Sequence, residues 1–189
     1  FDTTSGEVVR FANSECVFGY RTSIFKQNAG RYVVLRAAFV LNKDGQPNDS
    51  YKDLAGIAGT DLVAIRAKVL AIRAQKFPDL AKEGTAGSFF LNPIVSPQIA
   101  AALVQRYPDL PQFETKGGAK LSLAWLLDNA LSLKGASIGG ARLFERQLLV
   151  IAATRDARAS DVRALAQKIK KEVREKLGIE IEEEVRILC

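Results

Sequence analysis

Gly84-Thr85-Ala86-Gly87-Ser88-Phe89-Phe90-Leu91-Asn92-Pro93 is the stretch on which the reading of this chain turns. Gly84 to Gly87 reads as a glycine-bracketed loop. Ser88 to Leu91 reads as a short extended piece carrying two aromatics. Asn92-Pro93 stops it, because a proline disfavours helix in the residue before it. Ser96-Pro97 then reads as an N-cap with proline at the first helical position, opening a helix to about Tyr107. Extended and helical pieces in direct succession mark a mixed chain.

Working outward, residues 1 to 18 read as one or two short strands around Ser5-Gly6. Arg31 to Leu41 is rich in β-branched and aromatic residues and closes on Asn42-Lys43-Asp44-Gly45, a strand followed by a turn. Gln46 to Asp53 is a polar loop holding Pro47 and Tyr51, and the composition shift from Gln46 to Gly59 marks a linker or loop. Thr60 or Asp61 caps a helix to about Gln75, with Leu62, Ile65, Val69 and Ile72 on one face; Pro78 ends that region. Pro108 and Pro111 break the next helix. Ser122 to Ala130 predicts a buried helix carrying Trp125, Gly135 to Gly140 a connection, and Leu148 to Ala153 a buried strand. Ser160 caps the clearest helix, which Gly178 ends, and Ile179 to Leu188 reads as a last strand. The expected fold is α+β, with helices on one face of a small mixed or antiparallel sheet.

The 189 residues suffice for a real core, and the apolar fraction of 48% fits a globular chain. The apolar runs Tyr32 to Leu41 and Leu148 to Ala153 are too short to span a bilayer. No signal peptide is visible, and the absence of any Met makes the sequence read as a fragment or a processed product. The charge of +6 comes from scattered Lys and Arg with no basic block interleaved with aromatics, so a phosphate-bearing small ligand suits it better than a nucleic acid. No histidine is present, which removes Ser-His-Asp and Cys-His catalysis within this chain. Cys16 and Cys189 lack metal-site spacing and read as reduced thiols; no metal is expected.

Serine, arginine and carboxylate are what remains for chemistry. Ser88, without a histidine, suits proton donation rather than nucleophilic attack; its bland reading is a serine bonding the local backbone. Arg21 follows Tyr20 in a turn leading to Phe25 and offers a fork for a carboxylate or phosphate; its bland reading is a surface ion pair. Glu184 lies in Glu182-Glu183-Glu184-Val185-Arg186, blandly a solvated strand end. Tyr51 could stack on a ligand as a lid, or be an exposed loop tyrosine. Lys76 suits the C-terminal end of its helix. Gly139-Gly140 resembles a phosphate loop only superficially, since no GxGxxG or GxxxxGK[ST] is present.

The runs FGYRTSIFK (Phe18 to Lys26) and GTAGSFFLNP (Gly84 to Pro93), Trp125-Leu126-Leu127-Asp128 with Lys134-Gly135, Ile138-Gly139-Gly140-Ala141, and Glu184-Val185-Arg186 follow one another in a family's order. Together they resemble the C-terminal part of the UDP-N-acetylenolpyruvoylglucosamine reductases (UDP-N-acetylmuramate dehydrogenases), flavoenzymes of bacterial peptidoglycan synthesis. Ser50-Tyr51-Lys52-Asp53-Leu54 matches the tyrosine loop of the type I branch.

The resemblance implies that NADPH reduces FAD, and that reduced FAD passes hydride to the enolpyruvyl C3 of UDP-N-acetylglucosamine enolpyruvate. Ser88 falls at the proton donor for C2. Arg21 and Glu184 fall at the pair that polarises the enolpyruvyl carboxylate and stabilises the enol. Tyr20, Tyr51, Lys76, Asn92 and Gln147 fall at positions that bind the UDP-sugar. Residues 1–75 would be the last part of the flavin domain and 76–189 the substrate domain, with the flavin contacts mainly in a preceding region. The full-length protein is expected to be a cytoplasmic monomer that binds neither nucleic acid nor membrane. The alternative is an isolated UDP-sugar-binding module without redox activity.

Overall fold

A computed structural model of the chain describes residues 1–43, 54 and 61–188. Two compact units divide it, Phe1–Gln46 and Pro47–Cys189, and each is described by itself.

In the first unit, Gly6 turns the chain so that Asp2 bridges both Glu7 and Tyr32. Asp2 is only 5% exposed, and a buried carboxylate must be paired. Arg31 supplies the pair, donating from Nε and a terminal nitrogen to Asp2 Oδ2 at 3.2 and 3.0 Å. Asp2 Oδ1 accepts from the Thr4 amide at 2.9 Å. Phe11, Phe25 and Tyr32 form a triangle of edge-to-face rings with centroids 5.2 to 5.9 Å apart, the geometry that aromatic quadrupoles favour. A 3₁₀ helix, Asn13–Cys16, buries Cys16 as a free thiol. The short helix α1, Ile24–Gln27, is capped by Ser23, whose hydroxyl accepts from the Lys26 amide.

The strand expected over Arg31 to Leu41 is a correction. Tyr32 bridges Asp2, and Val33 exchanges hydrogen bonds with Phe1, but residues 34–41 join no ladder among the described residues. Phe39 and Leu41 are 82% and 84% exposed. β-propensity describes how well a side chain fits a pleated, half-buried surface; where the described residues offer no such surface, the segment stays irregular.

In the second unit, Asp61 caps α2, Leu62–Lys76, accepting from the amides of Val63 and Ala64 at 2.9 and 3.2 Å. The expected apolar face is half-buried at Ile65, Val69 and Ile72, and Leu62 is exposed. Thr60 lies outside the described residues. Strand β1, Ile94–Val95, leads into α3, Pro97–Arg106, capped by Ser96 with Pro97 at its first position, as read.

The segment after Pro111 forms an unforeseen hairpin of β2, Gln112–Thr115, and β3, Gly118–Leu121. With β1 on the other side of β3 it makes an antiparallel sheet. The predicted buried helix begins as α4, Leu123–Trp125, and continues as a π turn, Leu126–Ala130. A second antiparallel sheet contains β4, Ser137–Ile138, β5, Ala141–Leu143, and β6, Ile151–Ala153. Among the described residues there are thus two small sheets where the sequence suggested one.

Helix α5, Ala159–Leu177, ends at Gly178 as read but starts before Ser160. Asp161 replaces the expected serine cap: its carboxylate accepts from the Arg158 amide at 3.0 Å and also from the Gly140 amide at 3.3 Å. The expected strand Ile179 to Leu188 survives as one bridge, Glu183 to Phe90, with flanking hydrogen bonds.

The core of this unit sits between α5, the π turn and the sheets. Leu121, Leu123, Leu126, Leu127, Leu143, Leu165, Ile169 and Val173 are fully buried there with Phe90. Burial of one such side chain stabilises by about 1.5–3 kcal/mol. Among the described residues no helix is long and apolar enough to cross a membrane.

Candidate functional site

The segment around Ser88 is held from both sides. Towards β6, Gly84 and Ala153 exchange backbone hydrogen bonds at 2.8 and 2.9 Å, and Ser88 bridges Val150. Gly84 to Ser88 is four steps, and Ala153 to Val150 is three, so one extra residue bulges out between the two bridges. Thr85 fills the gap: its hydroxyl donates to the Ile151 carbonyl at 2.8 Å and accepts from the Gly87 amide at 3.1 Å. Gly87 takes φ +85°, which a side chain would strain. A bulge of this kind re-aims the next side chain, and that residue is Ser88. The glycine at position 87 therefore follows from backbone geometry.

On the other side the Leu91 amide donates to the Glu182 carbonyl at 2.9 Å, and the Glu184 amide donates to the Phe89 carbonyl at 2.8 Å. The rings of Phe89 and Phe90 pack edge-to-face with centroids 5.0 Å apart, and both are buried in the core. The aromatic pair thus anchors the segment in the core. Ser88 itself is half-buried.

Asn92 has a structural task. Its side-chain oxygen accepts from the Leu123 amide at 3.0 Å and so caps α4. Its NH₂ group donates to no described residue. Gln147 lies in the tight turn between β5 and β6, where its amide donates to the Phe144 carbonyl at 3.1 Å and its carbonyl accepts from the Val150 amide at 2.9 Å. Val150 is the residue that bridges Ser88. Lys76 closes α2 and lines a groove with Lys68, Ile72, Gln75 and Arg146. Ser88, Glu184, Gln147 and Asn92 therefore gather around one extended segment, and Arg146 ties the Lys76 groove to Gln147 as its chain neighbour.

Tyr20 and Arg21 belong to the first unit. They form the tip of a two-residue turn, closed by mutual hydrogen bonds of Gly19 and Thr22 at 3.1 and 3.3 Å. Arg21 takes φ +56°, a left-handed conformation that is uncommon for a residue with a side chain. Tyr20 is exposed at the tip. Tyr51 lies outside the described residues.

The sequence reading missed Lys68 and Arg146. The spacing of Lys68, Ile72 and Lys76, each four residues from the last, could have found the first, since such residues share a helix face. Arg146 had no local signal beyond preceding Gln147.

The Gly139-Gly140 turn is not a phosphate cradle. Anion sites of that kind need open backbone amides. Here the Gly140 amide is taken by Asp161. A Cβ on Gly140 would meet Thr154 Oγ1 at 2.5 Å and the Ala157 Cβ at 2.7 Å. The glycines serve close packing against α5, and the turn does not fit a flavin pyrophosphate. Asp161 is held below the usual carboxylate range, chiefly by the Arg158 amide and then by that of Gly140. Nearby, Arg142 binds Glu83 in a bidentate pair at 3.1 and 2.8 Å and also pairs with Glu145.

Residues 79–188 match the family described as UDP-N-acetylenolpyruvoylglucosamine reductase, C-terminal domain. The chain is 40% identical to the UDP-N-acetylenolpyruvoylglucosamine reductase of Photobacterium profundum, over 97% of this chain and 54% of the relative. It is 42% identical to that of Neisseria gonorrhoeae and 40% to that of Chromobacterium violaceum, each over 97% of this chain and 56% of the relative. The chain thus spans about half the length of the curated relatives it matches. On the matched domain and these identities, the chain belongs to the UDP-N-acetylenolpyruvoylglucosamine reductase family.

Proposed function

We propose that this chain supplies the substrate site and the proton donor of a reductase that converts UDP-N-acetylglucosamine enolpyruvate to UDP-N-acetylmuramate for peptidoglycan, with electrons from NADPH by way of FAD. The observation that carries it is the joining of the Ser88 and Glu184 segments by the Glu184–Phe89 hydrogen bond. In this reading the flavin, when bound, would supply the hydride to the enolpyruvyl C3.

The rest is work for the chain's own residues. Glu184 and Arg21 polarise the enolpyruvyl carboxylate and stabilise the charge that develops as C3 is reduced; fixed charges do this without reorganising at the moment of reaction. The Ser88 hydroxyl then gives its proton to C2, and solvent restores it. Tyr20, Tyr51, Lys76, Asn92 and Gln147 bind the UDP-sugar, with the free NH₂ of Asn92 as one donor. The substrate domain begins near Lys76, and residues 1–75 complete a flavin domain. The full-length protein is a cytoplasmic monomer.

The deciding experiment is calorimetric titration with UDP-N-acetylglucosamine enolpyruvate, beside Lys76→Ala. Saturable binding that weakens about tenfold in the variant, as loss of a charge-assisted contact implies, supports the site. Binding indifferent to Lys76 sinks the assignment of Lys76 to the UDP-sugar, and no binding sinks the preformed site.

A second reading is a UDP-sugar-binding module without redox activity, favoured by the closed Gly139-Gly140 turn. Flavin separates the two: a catalytic protein purifies yellow or turns over NADPH when flavin is supplied, and a binding module does neither.

A further inference from the structure

The extra residue ahead of Ser88 decides which way its side chain faces. Gly84 and Ala153 exchange backbone hydrogen bonds, and further along the Phe89 amide donates to the Leu149 carbonyl. Gly84 to Phe89 is five steps, whereas Ala153 to Leu149 is four. An unbroken antiparallel ladder running from Gly84 and Ala153 would put Ser88 opposite Leu149. Here Ser88 lies opposite Val150 instead, and Phe89 takes the bond to Leu149. A slip of one residue turns a side chain to the other face of a strand. The bulge is therefore what gives the Ser88 hydroxyl the face it has.

Thr85 holds that bulge. Ile151 and Ala153 lie two apart in β6, so their carbonyls point to the same edge. The Ala153 carbonyl accepts from the Gly84 amide at 2.8 Å. The Ile151 carbonyl accepts from the Thr85 hydroxyl at 2.8 Å, a side-chain donor in the place where a regular ladder puts the amide of Ala86. The same hydroxyl accepts from the Gly87 amide at 3.1 Å. The turn at Gly87, with φ +85°, thus leaves neither group unpaired. Thr85 and Gly87 are both half-buried, where losing a partner costs more than it does in open water. One oxygen donates and accepts at once, which serine can do and valine cannot.

We propose that Thr85 is the positioning residue for Ser88: its hydroxyl stands in for a ladder amide, keeps the extra residue in the strand and so aims the Ser88 hydroxyl at the substrate. This rests on the reading of Ser88 as proton donor given above. Thr85 touches no reacting atom and acts only through Ser88. A misplacement of about 1 Å at a reacting group costs on the order of 10²-fold in rate, and the unbulged register turns the hydroxyl to the other face altogether.

The test compares Thr85→Val, which keeps the shape and removes the hydroxyl, with Thr85→Ser, which keeps the hydroxyl, in the assembled reductase. Thr85→Val is expected to lower kcat by about 10–10²-fold with KM little changed. Thr85→Ser is expected to retain most of the rate. Introduced together with Ser88→Ala, Thr85→Val is expected to lower kcat no further, because residues that act as a unit are not additive. Amide hydrogen exchange gives a reading without turnover. The Gly87 amide should exchange several-fold faster in Thr85→Val than in the unaltered chain, and keep its protection in Thr85→Ser.

An undiminished kcat in Thr85→Val, where Ser88→Ala lowers it, overturns this proposal and leaves the proton-donor reading standing. A loss that adds in full to that of Ser88→Ala, or one confined to KM, overturns it in the same way. Gly87 exchange that is indifferent to the hydroxyl does so too. If Ser88→Ala itself keeps full kcat, the proton-donor reading falls and this proposal with it. Should Thr85→Val melt too early for kinetics, Thr85→Ala against Thr85→Ser makes the same comparison, since both lose the methyl group and only serine keeps the hydroxyl.

Discussion

The amide of Glu184 donates to the carbonyl of Phe89 at 2.8 Å, which sets the carboxylate-bearing end of the chain one residue from Ser88. Nearly a hundred residues separate the two in sequence. The hydrogen bond belongs to the backbone, so the register survives side-chain replacement at either position.

That independence makes Ser88→Ala a clean probe. Neither strand contact uses the hydroxyl, so the fold is expected to stay intact. In the assembled reductase kcat should fall by about 10²–10⁴, the usual worth of a positioned proton donor, while KM moves little. Steady-state kinetics check this; a variant with undiminished kcat would remove Ser88 from proton transfer.

Arg21 holds a left-handed conformation at the tip of its turn. Strain kept at one residue of a turn points to function. Arg21→Gly and Arg21→Ala lose the same guanidinium, but only glycine adopts this φ without penalty. Arg21→Gly should therefore be more stable than Arg21→Ala by about 1 kcal/mol, after allowing for glycine's freedom in the unfolded chain. Both should lose reductase turnover. Thermal unfolding of the pair gives the difference, and equal stabilities would deny the strain.

Gly140→Ala should be costly for a different reason. Its methyl group would enter the space of Thr154 and Ala157, and overpacking of this kind costs about 1–3 kcal/mol. The damage should spread to the start of α5, because Asp161 holds both Arg158 and Gly140. Urea unfolding checks the loss, and a neutral variant would show that the turn can move away.

Two carboxylates set an expected acid limb. Asp2 is lowered, first by the Arg31 hydrogen bond and then by the Thr4 amide. Asp161 is lowered by the Arg158 and Gly140 amides. A group whose folded pKa lies below its unfolded one contributes fully above the unfolded value, about 4 for a carboxylate. The contribution is lost as pH falls through the folded value. Stability should therefore decline below about pH 4, and Asp2→Asn should flatten part of that decline in the first unit. Melting temperature against pH, for Asp2→Asn and the unaltered protein, shows whether it does.

Local signals in the chain were enough for its local events. Asp61, Ser96-Pro97 and Gly178 bound helices as read, because caps act within one turn of the backbone. The GTAGSFF run likewise held its loop and its extended piece in view. The hairpin after Pro111 went unread although Gly117-Gly118 marks its turn. Its strands are only four residues each, too short for an apolar alternation to stand out.

Sequence by itself determined which residue types are present for chemistry, where α2 and α3 begin and where α5 ends, and, through its motifs, the family. Pairing was left to the tertiary structure. The strand-like Arg31 to Leu41 joins no ladder among the described residues, while Glu182 to Glu184, which looks like a solvated acidic end, lies beside Ser88. Strand propensity is a property of a residue, but a strand exists only where a second backbone supplies its hydrogen bonds. The bulge that aims Ser88 and the groove that joins Arg146 to Lys76 arise in the same way, from segments brought together only by folding.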